Sequence, residues 1–319
     1  MTTFGNSSRF GTSSALELCL GGNTFGWTSS REVSFEVLDS FTGAGGSLID
    51  TADSYSAWVE GNSGGESETI IGQWLAARGN RDDVVLATKV SQHPEFKGLA
   101  PKNVAAAAEA TLRRLGTDHI DLYYAHFDDE QTPLEETVGA FEELITAGRI
   151  RAVGVSNYSA DRVRQWFEIA RREGYTLPVA LQPHYNLVHR GDYESGLSEI
   201  ARAEDLAVMP YFSLASGFLT GKYRNRTDLE GAARAGMAGK HLSEQKLRVL
   251  ETLDAIASRL EVAMPTVALA WLRTRDQVTA PIASARTPEQ LPALLAGARL
   301  QLSAEDAQAL TAVSSAVED

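Results

Sequence analysis

The chain has 319 residues, 43% hydrophobic and 22% charged, a composition that suits a soluble globular protein able to bury a sizeable core. A net charge of −13 and a pI near 5.0, with no basic run longer than a pair, argue against a nucleic-acid or anionic-membrane partner, since both need basic patches. Cys19 is the only cysteine, so no internal disulfide is possible; with no stretch near the roughly 20 apolar residues of a membrane span and no signal peptide, a cytoplasmic protein is expected.

Short apolar runs recur along the chain, each followed by a longer amphipathic stretch. After a turn-rich start that suggests a capping hairpin, the first run is 16–20, and a helix is expected over 31–44, with Val33, Val37 and Phe41 spaced by four. The second run, 47–50, turns polar at Asp50 and leads into a loop carrying Tyr55. A buried Asp needs a positive partner, because an isolated carboxylate in the core costs several kcal/mol. A Gly/Ser-rich loop and a helix at 66–78 follow. Strand three, 84–88, ends at Lys89. A helix at 101–115 opens with Pro101 and stops at Gly116. Strand four, 120–125, ends at His126, and a helix at 133–147 follows. Strand five, 150–155, ends at Ser156 and Asn157, before a helix at 159–173. Strand six, 178–182, ends at Gln182, with a helix at 191–203. Strand seven, 206–211, ends at Tyr211. The long segment 213–243 has no strong periodicity and reads as a functional or mobile loop. Helices at 243–259 and 264–275 precede strand eight, 278–283, which contains Pro281 and ends at Ser284. Helices at 287–297 and 303–315 close the chain.

Eight strand–helix units with no linker between them predict one domain, a closed (β/α)8 barrel over 1–319 with long loops at the C-terminal mouth. No Gly-x-Gly-x-x-Gly opens a helix after strand one, so a Rossmann domain is not expected. In such a barrel the strand ends share one mouth. Here seven of them are polar after an apolar run: Asp50, Lys89, His126, Ser156 with Asn157, Gln182, Tyr211 and Ser284. Lys89 ends the strand beside that of Asp50, so the two can pair. Tyr55 lies just above them, and a buried ammonium is expected to lower its pKa toward a useful range. His126 can orient the same substrate oxygen. The set reads as a proton relay aimed at one oxygen. Ser156 lacks a nucleophile elbow, and the six histidines show no metal-binding spacing, so no metal is expected.

The stretches DTADSY (50–55), ATKV (87–90), DLYYAH (121–126), GVSNYS (154–159), LQPHYNL (181–187), YFSLASGFLTGKY (211–223) and SARTPEQL (284–291) resemble, in order and over nearly the whole chain, the aldo-keto reductase superfamily. The resemblance implies a catalytic set of Asp50, Tyr55, Lys89 and His126. It implies NADP(H) lying across the mouth, with Ser156, Asn157 and Gln182 on the carboxamide, Tyr211 stacked on the nicotinamide and Asp50 near the ribose. Phe212, Ser213, Leu214, Ser216, Gly217, Leu219, Gly221 and Lys222 would wrap the pyrophosphate, with Arg234 a further phosphate contact. Ser284, Arg286 and Gln290 would hold the adenosine end. Trp27, Trp58 and Phe127 would wall the substrate pocket.

Two departures from the family pattern stand out. Phe127-Asp128-Asp129 replaces the x-Pro-Asp that follows the catalytic His in many relatives, so a different loop over the substrate is expected. Ala293-Leu294 replaces a Glu-Asn pair, so a weaker grip on adenine is expected, while Arg286 still favours NADP(H) over NAD(H). The expected function is reduction of an aldehyde or ketone by a monomer. The alternatives are a cofactor-sensing binding protein like the β-subunits of voltage-gated potassium channels, whose partner-binding segment is not expected at this short N-terminus, and a sugar or polyol dehydrogenase.

Overall fold

Strand residues two apart share a face, and that alternation builds the molecule. In a computed structural model, which describes residues 16–231 and 235–317, eight strands form one sheet in the order β7-β6-β5-β4-β3-β2-β1-β8. They are β1 (Cys19–Gly21), β2 (Leu48–Asp50), β3 (Val85–Val90), β4 (Leu122–Ala125), β5 (Val153–Ser156), β6 (Ala180–Gln182), β7 (Ala207–Val208) and β8 (Ile282–Ala283). Every neighbouring pair is parallel. The two ends of the row meet where Thr279 N–H donates to Val208 O (2.8 Å) and Ile282 N–H to Pro210 O (2.9 Å). The sheet thereby closes into a (β/α)8 barrel. Strand eight is shorter than its apolar run predicts. Pro281 has no N–H to offer, and only its carbonyl takes part, accepting from Cys19 N–H at 3.1 Å.

Alternate residues fill the barrel: Cys19, Leu48, Val85, Ala87, Leu122, Tyr124, Ala152, Ala180, Ala207, Met209, Ala280 and Ile282 form one interior cluster. The residues between them, such as Leu20, Ile49, Leu86, Tyr123, Val155 and Val208, pack outward against the helices in two larger clusters. Tyr124 is the largest side chain of the lumen. Its strand partner is Gly154, where a Cβ would stand 2.4 Å from the Tyr124 ring, so a residue without a side chain makes room for the tyrosine.

The outer layer comprises α1 (Arg31–Gly43), α2 (Glu66–Arg78), α3 (Pro101–Leu115), α4 (Leu134–Thr146), α5 (Ala160–Glu173), α6 (Ser198–Ala203), α7 (Ala235–Ala238), α8 (Glu244–Arg259), α9 (Met264–Arg273), α10 (Leu291–Gly297) and α11 (Ala304–Ser314). Ser30, Ser159, Ser243 and Ser303 cap their helices by accepting from the backbone N–H three residues on. The helix expected over 191–203 is interrupted: a π-helical turn, Tyr193–Leu197, departs from helical geometry at Gly196 before α6 begins. The long loop 213–243 is not structureless, for it contains 3₁₀ turns at Ala215–Thr220, Thr227–Leu229 and Gly239–His241 as well as α7. The expected N-terminal hairpin and Arg234 lie outside the described residues. Among the described residues no single helix is long and apolar enough to cross a membrane.

Candidate active site

The alternation that fills the barrel also selects what reaches its mouth. Continuing each inward set by two residues gives Asp50 after Leu48, Lys89 after Ala87, His126 after Tyr124, Gln182 after Ala180, Tyr211 after Met209 and Ser284 after Ile282. Ser156 follows Ala152 and Gly154 in the same way. Past β2 the chain keeps running along β3, with Thr51 N–H donating to Ala87 O (2.8 Å) and Asp53 N–H to Lys89 O (3.3 Å). It then turns, and the Tyr55 N–H donates to Ala52 O. That path brings Tyr55 back over Lys89.

Lys89 is fully buried, and its ammonium donates three hydrogen bonds: to Asp50 Oδ2 (2.6 Å), to Thr51 O (2.6 Å) and to Tyr55 Oη (3.0 Å). Burial alone would lower the lysine pKa, but Asp50 and then Tyr55 outweigh it and leave it raised, so Lys89 stays charged. Burial pushes the Tyr55 phenol up to about 12, against the pull of the adjacent ammonium. The expected net lowering therefore does not occur in the free protein, because desolvation of the phenolate exceeds the attraction of Lys89. Burial, then Lys89, holds the His126 imidazole well below its ordinary pKa, so it is neutral. The His126 and Tyr55 ring centroids are 6.4 Å apart. Of the two aspartates in DTADSY only Asp50 joins this set. Asp53 is buried within electrostatic reach of Glu68 and Arg114, and burial, then Glu68, pushes its carboxyl well above the usual range.

Asp50 also organises the neighbouring polar group. Its Oδ1 accepts from Gln182 Nε2 at 2.8 Å, while Ser156 Oγ donates to Gln182 O at 2.9 Å. Asn157, in the left-handed region at φ 55°, donates to His126 O (2.9 Å) and Ser156 Oγ (3.0 Å) and accepts from Tyr211 Oη (2.7 Å). Ser156, Asn157, Gln182 and Tyr211 thus form one connected cluster. The amide hydrogens of Asn157 are both used, which leaves lone pairs on Asn157 Oδ1 and Gln182 Oε1 as acceptors for an incoming group.

Beyond Tyr211 the backbone takes positive φ at Phe212, Ala215, Ser216 and Gly217. Ser213 Oγ donates to Pro210 O at 3.0 Å, and exposed Lys222 lies close to Gly217, where a Cβ would meet its Nζ at 3.3 Å. Leu214 and Leu219 pack into the outer core, Leu219 without exposure, so neither is placed as a polar contact. On the opposite rim Ser284 Oγ donates to Asn23 Oδ1 (2.7 Å), and Arg286 N–H donates to Gln290 Oε1 (2.9 Å), while the Arg286 residue is exposed. Leu294 is buried in the outer core and Thr266 Oγ1 holds Ala293 O, so this pair serves packing.

Of the three aromatic residues expected at the pocket, two touch each other and the third packs on His126. Trp27 and Trp58 are edge-on at 5.5 Å, Trp58 and Tyr55 at 6.3 Å, and Phe127 is 4.8 Å from His126. Trp58 is 54% and Phe127 39% exposed, so the wall faces open space. The loop behind Phe127 is fixed by its two carboxylates. Asp128 makes a two-point ion pair with Arg162 (2.6 and 2.8 Å), and Asp129 accepts from Leu99 N–H and Thr132 Oγ1, both at 2.8 Å.

Sequence reasoning passed over Thr51, whose carbonyl is the third acceptor for Lys89, and His184, which stacks on Tyr211. The latter carried a signal, since His184 continues the inward set of Ala180 and Gln182.

Moving a proton to or from one oxygen is what such a mouth is equipped to do, and the fold is that of a barrel working from its C-terminal end. The chain belongs to the aldo/keto reductase family, a family of oxidoreductases, whose model matches residues 17–315. It is 33% identical to norsolorinic acid reductase stcV of Emericella nidulans, covering 91% of this chain and 76% of that protein. It is 31% identical to L-glyceraldehyde 3-phosphate reductase of Escherichia coli (87% and 82%) and 30% identical to aryl-alcohol dehydrogenase [NADP(+)] of Phanerodontia chrysosporium (89% and 76%).

Proposed function

We propose that the protein is a cytoplasmic, monomeric reductase of aldehydes or ketones that uses NADP(H). The observation that carries this reading is Lys89 Nζ held between Asp50 Oδ2 and Tyr55 Oη at 2.6 and 3.0 Å. NADPH, when bound, supplies a hydride to the carbonyl carbon. Tyr55 gives its proton to the carbonyl oxygen, and the Lys89 ammonium stabilises the phenolate left behind. Asp50 keeps the buried Lys89 charged. Neutral His126 offers an N–H to the same oxygen and adds no positive charge.

The chain's own groups fit the cofactor. Asn157 Oδ1 and the Gln182 amide suit a carboxamide, the positive-φ run from Phe212 to Gly217 with Lys222 suits a diphosphate, and Arg286 suits a 2′-phosphate. The aromatic wall of Trp27, Trp58 and Phe127 favours a flat, uncharged carbonyl compound over a phosphorylated one. Arg162, the cation paired with the residue after Phe127, is already held by Asp128. The test is steady-state NADPH oxidation with benzaldehyde, an aliphatic aldehyde and glyceraldehyde 3-phosphate. Consumption with benzaldehyde is expected to be fastest; no consumption with any carbonyl compound would refute the reading.

A further inference from the structure

Tyr211 stacks on a histidine that lies outside the relay. His184 follows Gln182 by two, so it continues the inward face of β6, and it pairs with Tyr211 in parallel register beyond the strand ends. The Tyr211 N–H donates to Pro183 O at 2.9 Å, which fixes that register. Paired residues on one face of a sheet bring their side chains together. Here the His184 and Tyr211 rings stack with centroids 5.2 Å apart and planes 20° from parallel.

His184 is itself backed. Residues 186–189 form a tight reversal, with Asn186 N–H donating to His189 O (3.0 Å) and His189 N–H to Asn186 O (3.2 Å). The reversal lays the His189 ring on His184 at 3.7 Å and 17°. Asp192 Oδ2 holds His189 Nε2 at 2.8 Å. Buried Asn186 closes the arrangement by donating to Phe212 O at 3.0 Å, so the turn, the stack and the residue after Tyr211 are tied together. Tyr211 is therefore gripped at its hydroxyl by Asn157, at its edge by Phe212 (5.1 Å, 63°) and on one face by His184.

We propose that His184 is a positioning residue: the His184–His189 stack holds the Tyr211 ring so that its other face stands ready for the nicotinamide ring. This rests on the reading of Tyr211 as the nicotinamide platform. A flat ligand gains from a flat platform only if the platform is held in place before the ligand arrives, because otherwise the ordering cost is taken out of the binding free energy. Without the imidazole, the tyrosine can tilt into the space His184 leaves.

The test compares His184→Leu with His184→Phe by fluorescence titration of two ligands, NADPH and 2′,5′-ADP, the second of which lacks the nicotinamide. Loss of one aromatic pair corresponds to about a three- to tenfold change in Kd. His184→Leu is expected to raise the NADPH Kd by that factor and leave 2′,5′-ADP unchanged, while His184→Phe stays within about twofold of wild type for both. An unchanged NADPH Kd in His184→Leu, equal weakening of both ligands, or failure of His184→Phe to restore binding would overturn the proposal. Wild type binding 2′,5′-ADP without gaining affinity for NADPH would instead refute the platform reading of Tyr211, and wild type binding neither ligand would refute the NADP(H) reading itself.

Discussion

Lys89 spends all three ammonium hydrogens on Asp50, Thr51 and Tyr55, and each bond has a separate consequence. Tyr55→Phe removes the proton donor and touches nothing proposed to hold phosphate. Turnover is expected to fall by about 100- to 10,000-fold, the usual worth of a general acid, with NADPH binding near wild type by fluorescence titration. With its phenol held near 12, Tyr55 remains protonated through the neutral range, so carbonyl reduction should be insensitive to its titration between pH 6 and pH 9. Alcohol oxidation needs the phenolate and should rise with pH. Lys89 pulls the phenol pKa down, so Lys89→Met should be nearly inactive and move the residual oxidation profile to higher pH; the profile belongs to the coupled set and not to one residue. An oxidation profile that stays in place would make Lys89 a structural ion-pair partner only. His241 gives a stability prediction of definite sign. Burial, then Lys246, lowers its pKa to about 4. Its folded-state pKa lies below the unfolded value, so its contribution is present above about pH 6.5 and is lost as pH falls toward 4. His241→Gln should flatten the fall in Tm between those limits in thermal melts.

Among the elements, α2 and α3 meet backbone to backbone behind the relay. A Cβ at Gly72 would stand 2.2 Å from Arg114 O, so the backbones meet where α2 lacks a side chain. Next to that contact, fully buried Glu68 accepts from Thr88 Oγ1 (2.6 Å), Thr111 Oγ1 (3.1 Å) and Arg114 Nε (2.6 Å), tying both helices to β3 one residue before Lys89. Gly72→Ala must push α3 away and is expected to cost about 1–3 kcal/mol, as overpacking does. Urea unfolding should show a lower midpoint with an unchanged slope. A midpoint equal to wild type would mean the two helices are not held at this distance. Little of this contact was legible beforehand: the periodicity of 66–78 marks a helix, but which glycine meets which carbonyl depends on how two helices lie on a closed sheet.

At the scale of the whole molecule, the proposed use of NADP(H) asks a chain of net charge −13 to hold a polyanion through a few placed cations. Arg286 is proposed as one of them: it is exposed, and its backbone N–H is held by Gln290. A guanidinium binds a phosphate through two hydrogen bonds and gains little from a ribose hydroxyl. At roughly 1.5–3 kcal/mol for bonds to a charged group, Arg286→Ala should weaken NADPH by about 10- to 100-fold and leave NADH nearly unchanged. The measurement is the ratio of the two dissociation constants in wild type and variant. An unchanged ratio, or a wild type indifferent to the 2′-phosphate, would remove Arg286 from the site.

Much of the architecture is a local property and was legible as such. Apolar runs bounded by Gly and Pro mark eight strands, and eight strand–helix units admit few closures other than a barrel. The period of two then decides which residues face inward, so Asp50, Lys89, His126, Gln182, Tyr211 and Ser284 follow from counting along single strands. Only the tertiary structure could decide the rest, because it depends on which groups burial brings together. The sign of the Tyr55 shift is a contest between desolvation and the Lys89 ammonium, and neither magnitude exists until the barrel closes around them. The stack of His184 on Tyr211 needs two strands in register and a turn folded back on itself. The same holds for the loop at Asp128 and Asp129, whose partners Arg162 and Leu99 lie some thirty residues away on either side.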